Sequence, residues 1–300
     1  MGCISSSPIP SAPTSYTLTS TAVTKSEVNE YPWHVFDWLL PHEPIRREML
    51  RAQHAISLLD LVVHPWHAER LFSWLDDYFF RAIHFHHDNE ENILGPYYAK
   101  LGANTSFGKV ANHAQLVELM NAALAAVAAA RGLVSTKAPP AEVKAAEEAI
   151  RSRWAPFHEM MFAHLAEEEV FWPPVYLQYG EEHSKAVVRL ILKKEFTLKG
   201  KDAQAGNAFV GSLLDALGAY SDRLASYKYA PPASAQIFGP WASVALRDNF
   251  MATVPFVPRV FIFPRLHRVY ITKWRTMIES IGAAAPGVAV AVAAASKSPQ

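Results

Sequence analysis

The chain has 300 residues and a single cysteine, Cys3, so no intrachain disulfide can form and no cysteine-based zinc site is available. That suits a reducing compartment. Glycine is scarce, at 13 residues, while several segments are rich in alanine, a balance that favours helix over sheet. An excess of one charge is missing too. The 28 basic residues are matched by 28 acidic ones, and no basic stripe with interleaved aromatics occurs, so nothing points to nucleic acid. There is no run of about 18 uninterrupted apolar residues, which argues against a transmembrane helix. The nearest approach, FMATVPFVPRVFIFP at 250–264, is broken by three prolines and an arginine. Gly-x-Ser-x-Gly and phosphate-binding loops are absent. What is abundant is histidine, with 13 residues.

The first residues read MGCISSS. Gly2 behind the initiator Met, with Ser6 four positions on, is the pattern for N-myristoylation, and Cys3 stands where palmitate could be added. One myristoyl chain holds a membrane only marginally, and the first basic residue is Lys25, so the second signal would come from an acylated Cys3. The expectation is dual acylation at Gly2 and Cys3 and a location at the cytoplasmic face of a membrane. Residues 4–24 are uncharged and rich in Ser, Thr and Pro, so 1–30 reads as a disordered tether. The tail 282–300 reads as disordered as well.

Four long helical patterns lie between about 42 and 180. The first starts near His42 with Pro44 in its first turn and ends near HPWH; the second follows Pro65 and runs to about Pro96 or Gly102. The third covers roughly 107–132, and the fourth runs from Ala141 to about Pro173. Short links between long helices make sequential neighbours antiparallel. The predicted fold is therefore all-α: an up-down-up-down antiparallel four-helix bundle over 31–180, with an α-helical extension over 181–281.

Spacing predicts which side chains face inward. On the fourth helix, Trp154, Phe157, Met161, His164, Glu168, Phe171 and Val175 alternate steps of three and four, which forms one seam. The first helix gives His42, Ile45, Met49, Ala52, Ile56, Leu59 and Val63. The second gives Leu71, Leu75, Phe79, Ala82, His86, Glu90, Ile93 and Tyr97, and the third Val110, His113, Val117, Met120, Leu124 and Val127. Each helix thus offers one histidine to the interior, and two of them add a glutamate one turn later. Burying carboxylates in an apolar core is costly unless something compensates, and His and Glu at i, i+4 can reach one cation. At about 1.5 Å per residue the four histidines fall near one level, at one end of the bundle. His54 lies well below that level, with Arg47 and Arg51 marking a mixed face; His64, His67, His158, His183 and His267 read as surface or cap residues.

The segments HEPIRREMLRA, HHDNEENILGP, ANHAQLVELM and HLAEEEVFWPP together resemble the four helices of the hemerythrin-like (HHE cation-binding) family over about 42–176. The most specific feature is a twice-used His-x-x-x-Glu-Glu with Pro ten residues after the His: His86, Glu90, Glu91, Pro96, and His164, Glu168, Glu169, Pro174. The resemblance implies a non-haem di-iron centre with bridging carboxylates, held by His42, His86, Glu90, His113, His164 and Glu168. It also implies a diatomic partner such as O2 or NO. Oxygen-carrying members have two histidines a turn apart on the third helix, whereas Lys109 and Val117 flank His113 here; His87 or water would fill the gap. Zinc or manganese would suit the same donors, with less support.

The expected function is a metal-binding protein for O2, NO, redox or iron sensing, more than an enzyme. The alternatives are a di-iron oxidase or peroxidase-like activity, and a metal-stabilised scaffold that binds partners through 181–281. The basic and aromatic stretch VPRVFIFPRLHRVYITKWR has two readings: it lies on an anionic membrane surface, or it packs on the bundle with its arginines outward, which is preferred.

Overall fold

Burial of an apolar face decides where these helices begin and end. In a computed structural model, residues 31–105, 111–195, 197–220, 244–254 and 256–281 are described. Gly2, Cys3, Lys109, Val110 and the tail 282–300 lie outside them. Among the described residues every regular element is helical, no strand occurs, and there are more than four helices. Helix α1, Trp33–Ser57, starts nine residues earlier than the sequence suggests and carries Pro41 and Pro44 inside it. Two missing N–H bonds are tolerated because the extra turns bury Val35, Phe36, Trp38 and Leu39.

The run over 66–100 is helical throughout, but not uniformly so. The α-helices α2 (Trp66–Trp74), α3 (Phe80–Asn89) and α4 (Gly95–Lys100) are joined by π-helical turns at Leu75–Phe79 and Glu90–Leu94. Each π turn inserts a residue and rotates the helix beyond it. The expected inward seam therefore holds as far as Glu90 and then slips by one: Leu94 and Tyr98 are buried, in place of Ile93 and Tyr97.

Helix α5, Ala111–Ser135, buries His113, Leu116, Met120, Ala123, Val127 and Ala130, so Val117 and Leu124 stand beside the seam, not in it. Its 113–135 stretch is long and apolar enough to cross a membrane by composition alone, yet the same helix packs its buried face against α6. Helix α6, Pro140–Tyr179, continues past Pro156, Pro173 and Pro174 and stops at Gly180, whose φ of 92° suits glycine. Beyond Glu168 its buried residues step by four, to Trp172 and Tyr176, in place of the expected Phe171 and Val175. Trp38 of α1 stacks on Trp172 there. Val63, expected at the end of the α1 seam, is exposed because the chain has already left the helix.

The chain past 181 shares the same core. It forms α7 (Glu181–Glu195), α8 (Gly200–Ala216), α9 (Val244–Thr253), α10 (Phe263–Val269) and α11 (Thr276–Glu279), with π turns at Pro258–Ile262 and Tyr270–Arg275. Tyr270, Ile271, Trp274 and Ile278 join α1 and α2 residues in one apolar cluster, where Tyr78 lies 5.3 Å from Trp274 between ring centres. Fully burying such large side chains stabilises by roughly 1.5–3 kcal/mol each. At the α8–α10 contact, a Cβ on Gly211 would stand 2.5 Å from Tyr270 Cβ, so only glycine permits that approach.

This junction also contains buried charge, against expectation. Arg47, Arg51 and Arg275 point inward, not outward. Arg51 Nη1 donates to Glu48 Oε1 (2.7 Å) and to the Tyr270 hydroxyl (2.7 Å), while Nη2 donates to Asp215 Oδ2 (3.1 Å). Arg275 donates to Asp215 Oδ1 (3.0 Å) and Glu279 Oε1 (2.8 Å), and Ser212 and Tyr270 donate to Glu48. His267 is buried in the same place, 3.8 Å from Asp215. His67, likewise expected at the surface, is buried beside Trp66. Aromatic neighbours cover both rings, which no local charge pattern announces.

Candidate metal centre

Helices α1, α3, α5 and α6 each bring a histidine to one buried place. His42, His86, His113 and His164 are there with Glu90 and Glu168, and none is more than 7% exposed. His87 is there too, 4% exposed, its ring stacked on His113 at 4.1 Å. Two groups of four donors result: His42, His86, Glu90 and Glu168, and His87, Glu90, His113 and His164. Within each group the donor atoms lie within 4.8 Å of one another, and Glu90 belongs to both.

The individual spacings are those of groups gathered around something small. Glu90 Oε1 is 3.1 Å from His86 Nε2 and 4.0 Å from His42 Nε2, while its Oε2 is 3.8 Å from His113 Nε2. Glu168 reaches His42 Nε2 at 3.4 Å through one oxygen, and His164 Nε2 (3.4 Å) and His113 Nε2 (3.8 Å) through the other. The Nε2 atoms of His113 and His164 face each other at 3.1 Å, which requires a proton or a cation between them.

Many of these atoms have no hydrogen-bond partner. His42 Nε2, His86 Nε2, both nitrogens of His87, both oxygens of Glu90 and Glu168 Oε2 are buried without one. Buried polar groups are ordinarily paired, because leaving one unpaired costs about 1–3 kcal/mol. Unpaired atoms from five residues meeting at one place fit a cation-binding site: imidazole nitrogen and carboxylate oxygen suit iron, zinc or manganese.

The second glutamate of each His-x-x-x-Glu-Glu has a separate task that spacing alone does not reveal. His42 Nδ1 donates to Glu169 Oε1 at 3.0 Å, and His113 Nδ1 donates to Glu91 Oε1 at 2.7 Å. A carboxylate only accepts, so each contact places a proton on Nδ1 and turns Nε2 toward the cluster. Arg46 holds Glu169 in turn, Nη2 to Oε1 at 2.5 Å. Each pairing crosses between helices: a carboxylate of one motif orients a histidine that lies outside both motifs.

The protonation of the cluster reflects crowding. Burial would lower His42, but contacts with Glu168, Glu169 and Glu90 outweigh it and raise the group to about 10. His113 follows the same pattern and reaches about 9, with burial opposed by Glu168, Glu90 and Glu91. Burial drives His164 down to about 4 and His86 and His87 well below the usual range, helped by neighbouring histidines. Glu90 rises to about 8 through burial and repulsion from Glu168. Glu168 is itself held low: burial opposes its charge, but His113 and His42 prevail. Without a cation, protons on two histidines hold the cluster together.

The remaining residues of the stretch 84–92 sort unevenly. His84 is exposed, whereas Asn89 is buried and accepts from Lys194 Nζ at 3.1 Å. Among the other histidines, His183 Nδ1 contacts the Tyr97 hydroxyl at 2.9 Å, far from the cluster in sequence and role. Compared with family models, curated proteins and solved structures, the chain matches none of them.

Proposed function

We propose that the chain is a non-haem di-iron binding protein of hemerythrin-like design, in which the ligand-bearing helices act as an up-down-up-down bundle. The observation that carries this reading is the pair of overlapping donor groups sharing the Glu90 carboxylate, which suits two cations side by side. His42, His86, Glu90 and Glu168 would hold one, and His87, Glu90, His113 and His164 the other. His87 then supplies the imidazole that helix α5 lacks. Bound iron would supply one-electron redox chemistry and open positions for a small ligand such as O2 or NO. The surrounding chain excludes water with Trp38, Trp172, Tyr98 and Tyr176, and keeps His42 and His113 oriented through Glu169 and Glu91.

The reading as a sensor or binder of O2, NO, redox state or iron is favoured over an oxidase or peroxidase. The further carboxylates at the cluster, Glu91 and Glu169, are committed to orienting His113 and His42, which argues for binding over acid–base turnover. Metal analysis of protein purified from its native source tests this. Two irons per chain, with the absorption of a bridged ferric pair that changes with O2 or NO, is the expected result. Well-folded protein with no metal, or with one zinc, would refute it, and steady consumption of peroxide would move the assignment to the enzyme. Acylation at Gly2 and Cys3 is tested separately, by myristate incorporation into the wild-type chain and its loss in Gly2→Ala; a chain carrying no acyl group refutes it.

A further inference from the structure

The segment over 256–269 presents an unusual surface. Phe256 (62% exposed), Val257 (58%), Val260 (42%), Phe261 (66%), Ile262 (41%) and Val269 (43%) all face solvent. Single exposed apolar side chains are ordinary, but six within fourteen residues form a patch of the kind that marks an interaction surface. The charge around it is one-sided. From Asn249 to Ile278 the sequence has no acidic residue, in a chain whose charges balance as a whole. Of the cations there, Arg275 is committed inside, to Asp215 and Glu279. Arg265, Arg268 and Lys273 are on the outside.

The patch is also held in shape. The Arg259 carbonyl accepts from the Tyr220 hydroxyl (2.7 Å), and its guanidinium donates to the Met251 carbonyl (3.3 Å). Beside it runs a groove of about 550 Å³ whose lining includes Gln204, Asn207, Phe261, Arg265 and Lys273. That lining combines amide and cationic groups, suited to phosphate, with an apolar ring suited to acyl chain. By contrast, the exposed Val170 and Leu177 are interspersed with Glu167, Glu181 and Glu182, which an anionic surface would repel.

A second observation concerns where the chain enters the fold. Tyr31, Val35 and Phe36 pack with Leu213, Leu217 and Phe250, with the Phe36 and Phe250 ring centres 6.2 Å apart. Phe250 belongs to α9, which ends three residues before Phe256. The start of α1 therefore packs on α9, the helix that leads into this patch.

We infer that the surface over 256–269 docks on an anionic lipid bilayer, with Phe256 and Phe261 entering the interface and Arg265 and Lys273 meeting headgroup phosphates. A basic and aromatic face of this kind binds through buried apolar area and electrostatic attraction together. The docking stands apart from the metal reading and needs no acyl group, so it is tested on the full-length chain made without acylation. Sedimentation with phosphatidylcholine vesicles is compared with vesicles that also contain phosphatidylserine. Partitioning should rise about tenfold or more with the anionic lipid and weaken as salt is added. The double variant Phe256→Ser, Phe261→Ser, and separately Arg265→Glu, should each lower it about tenfold while leaving the helical circular dichroism unchanged. Equal binding to both vesicles, or unchanged binding by the variants, overturns the inference. So does a dimer that the Phe variants convert to a monomer, which would assign the patch to self-association. Tryptic exposure of 256–262 unaltered by vesicles would likewise count against it.

Discussion

Two buried polar regions share helix α1, and they solve the problem of charge in opposite ways. Around Arg51 every charge faces its opposite: two arginines stand among Glu48, Asp215 and Glu279, with hydroxyls from Tyr270 and Ser212 in support. Burial opposes the charge of Arg51, but Tyr270 and these acids outweigh it and hold the group above its usual value; Asp215 is held well below its own because His267 and the two arginines outweigh its burial. Around His42 the donors outnumber their partners, and two carboxylates face imidazoles that differ widely in proton affinity. The first region completes its ion pairs with the protein's own side chains, although Arg51 Nε, Glu48 Oε2 and Glu279 Oε2 make no hydrogen bond there. The second is built from groups that make full sense together only when a cation joins them.

The largest effect should come from breaking the complete region. Arg51→Met leaves Glu48, Asp215 and Glu279 short of a countercharge and should cost about 3–5 kcal/mol in urea unfolding, with or without metal. A loss of under about 1 kcal/mol would show that the lock is not closed as described.

Glu90→Gln sharpens the contrast from the other side. Removing the shared carboxylate should abolish loading of both cations, while the metal-free protein changes by less than about 1 kcal/mol, since burial and Glu168 already disfavour the Glu90 charge. Metal stoichiometry and chelator-treated unfolding read the two halves separately. A strongly destabilised metal-free variant would mean that Glu90 is a structural partner of His86.

Glu169→Gln should be milder. It keeps the donors but loosens His42 and leaves Arg46 without that partner, lowering metal affinity about 10–100-fold by competition with a chelator. Affinity equal to wild type would remove Glu169 from any orienting role.

The smallest effect is a proton count. His42 and His113 are raised to about 10 and about 9, so at pH 7 both are protonated in the metal-free protein. A cation must displace them together with the proton that Glu90, raised to about 8, also holds, and calorimetry in buffers of different ionisation enthalpy should detect release of about three protons on loading. The same shift sets the sign for stability. Their contribution to the metal-free fold is fully present below the unfolded value near 6.5 and is lost as pH rises through about 9 to 10. Loading without proton release would contradict this.

Much of the cluster is legible because a helix with steps of three and four leaves little choice about which residues share a face. That spacing and the repeated motif single out His42, His86, Glu90, His113, His164 and Glu168, and all six meet. His87 is harder, since a neighbour in sequence is turned by about 100° along a helix and ought to flank the site. Its stacking on His113 depends on how α3 and α5 approach, which no single helix encodes. The same limit hides Glu91 and Glu169, whose partners lie on other helices. The slip after Glu90 is invisible because nothing local in EENIL distinguishes a π turn from an α turn. The inward arginines escape the pattern because charge in a sequence is normally solvated, and two of the partners of Arg51, Asp215 and Tyr270, lie more than 160 positions away.

Helix α1 joins the two regions along about 14 Å, the nine residues from His42 to Arg51. One end is clamped by countercharges in any condition, and the other is held less firmly, by shared protons, until the cluster is filled. Amide hydrogen exchange should therefore be graded along a single helix in the stripped protein, slow around Arg51 and fast toward Trp38. Filling the site would flatten that gradient, which makes the helix a gauge of occupancy that can be read residue by residue.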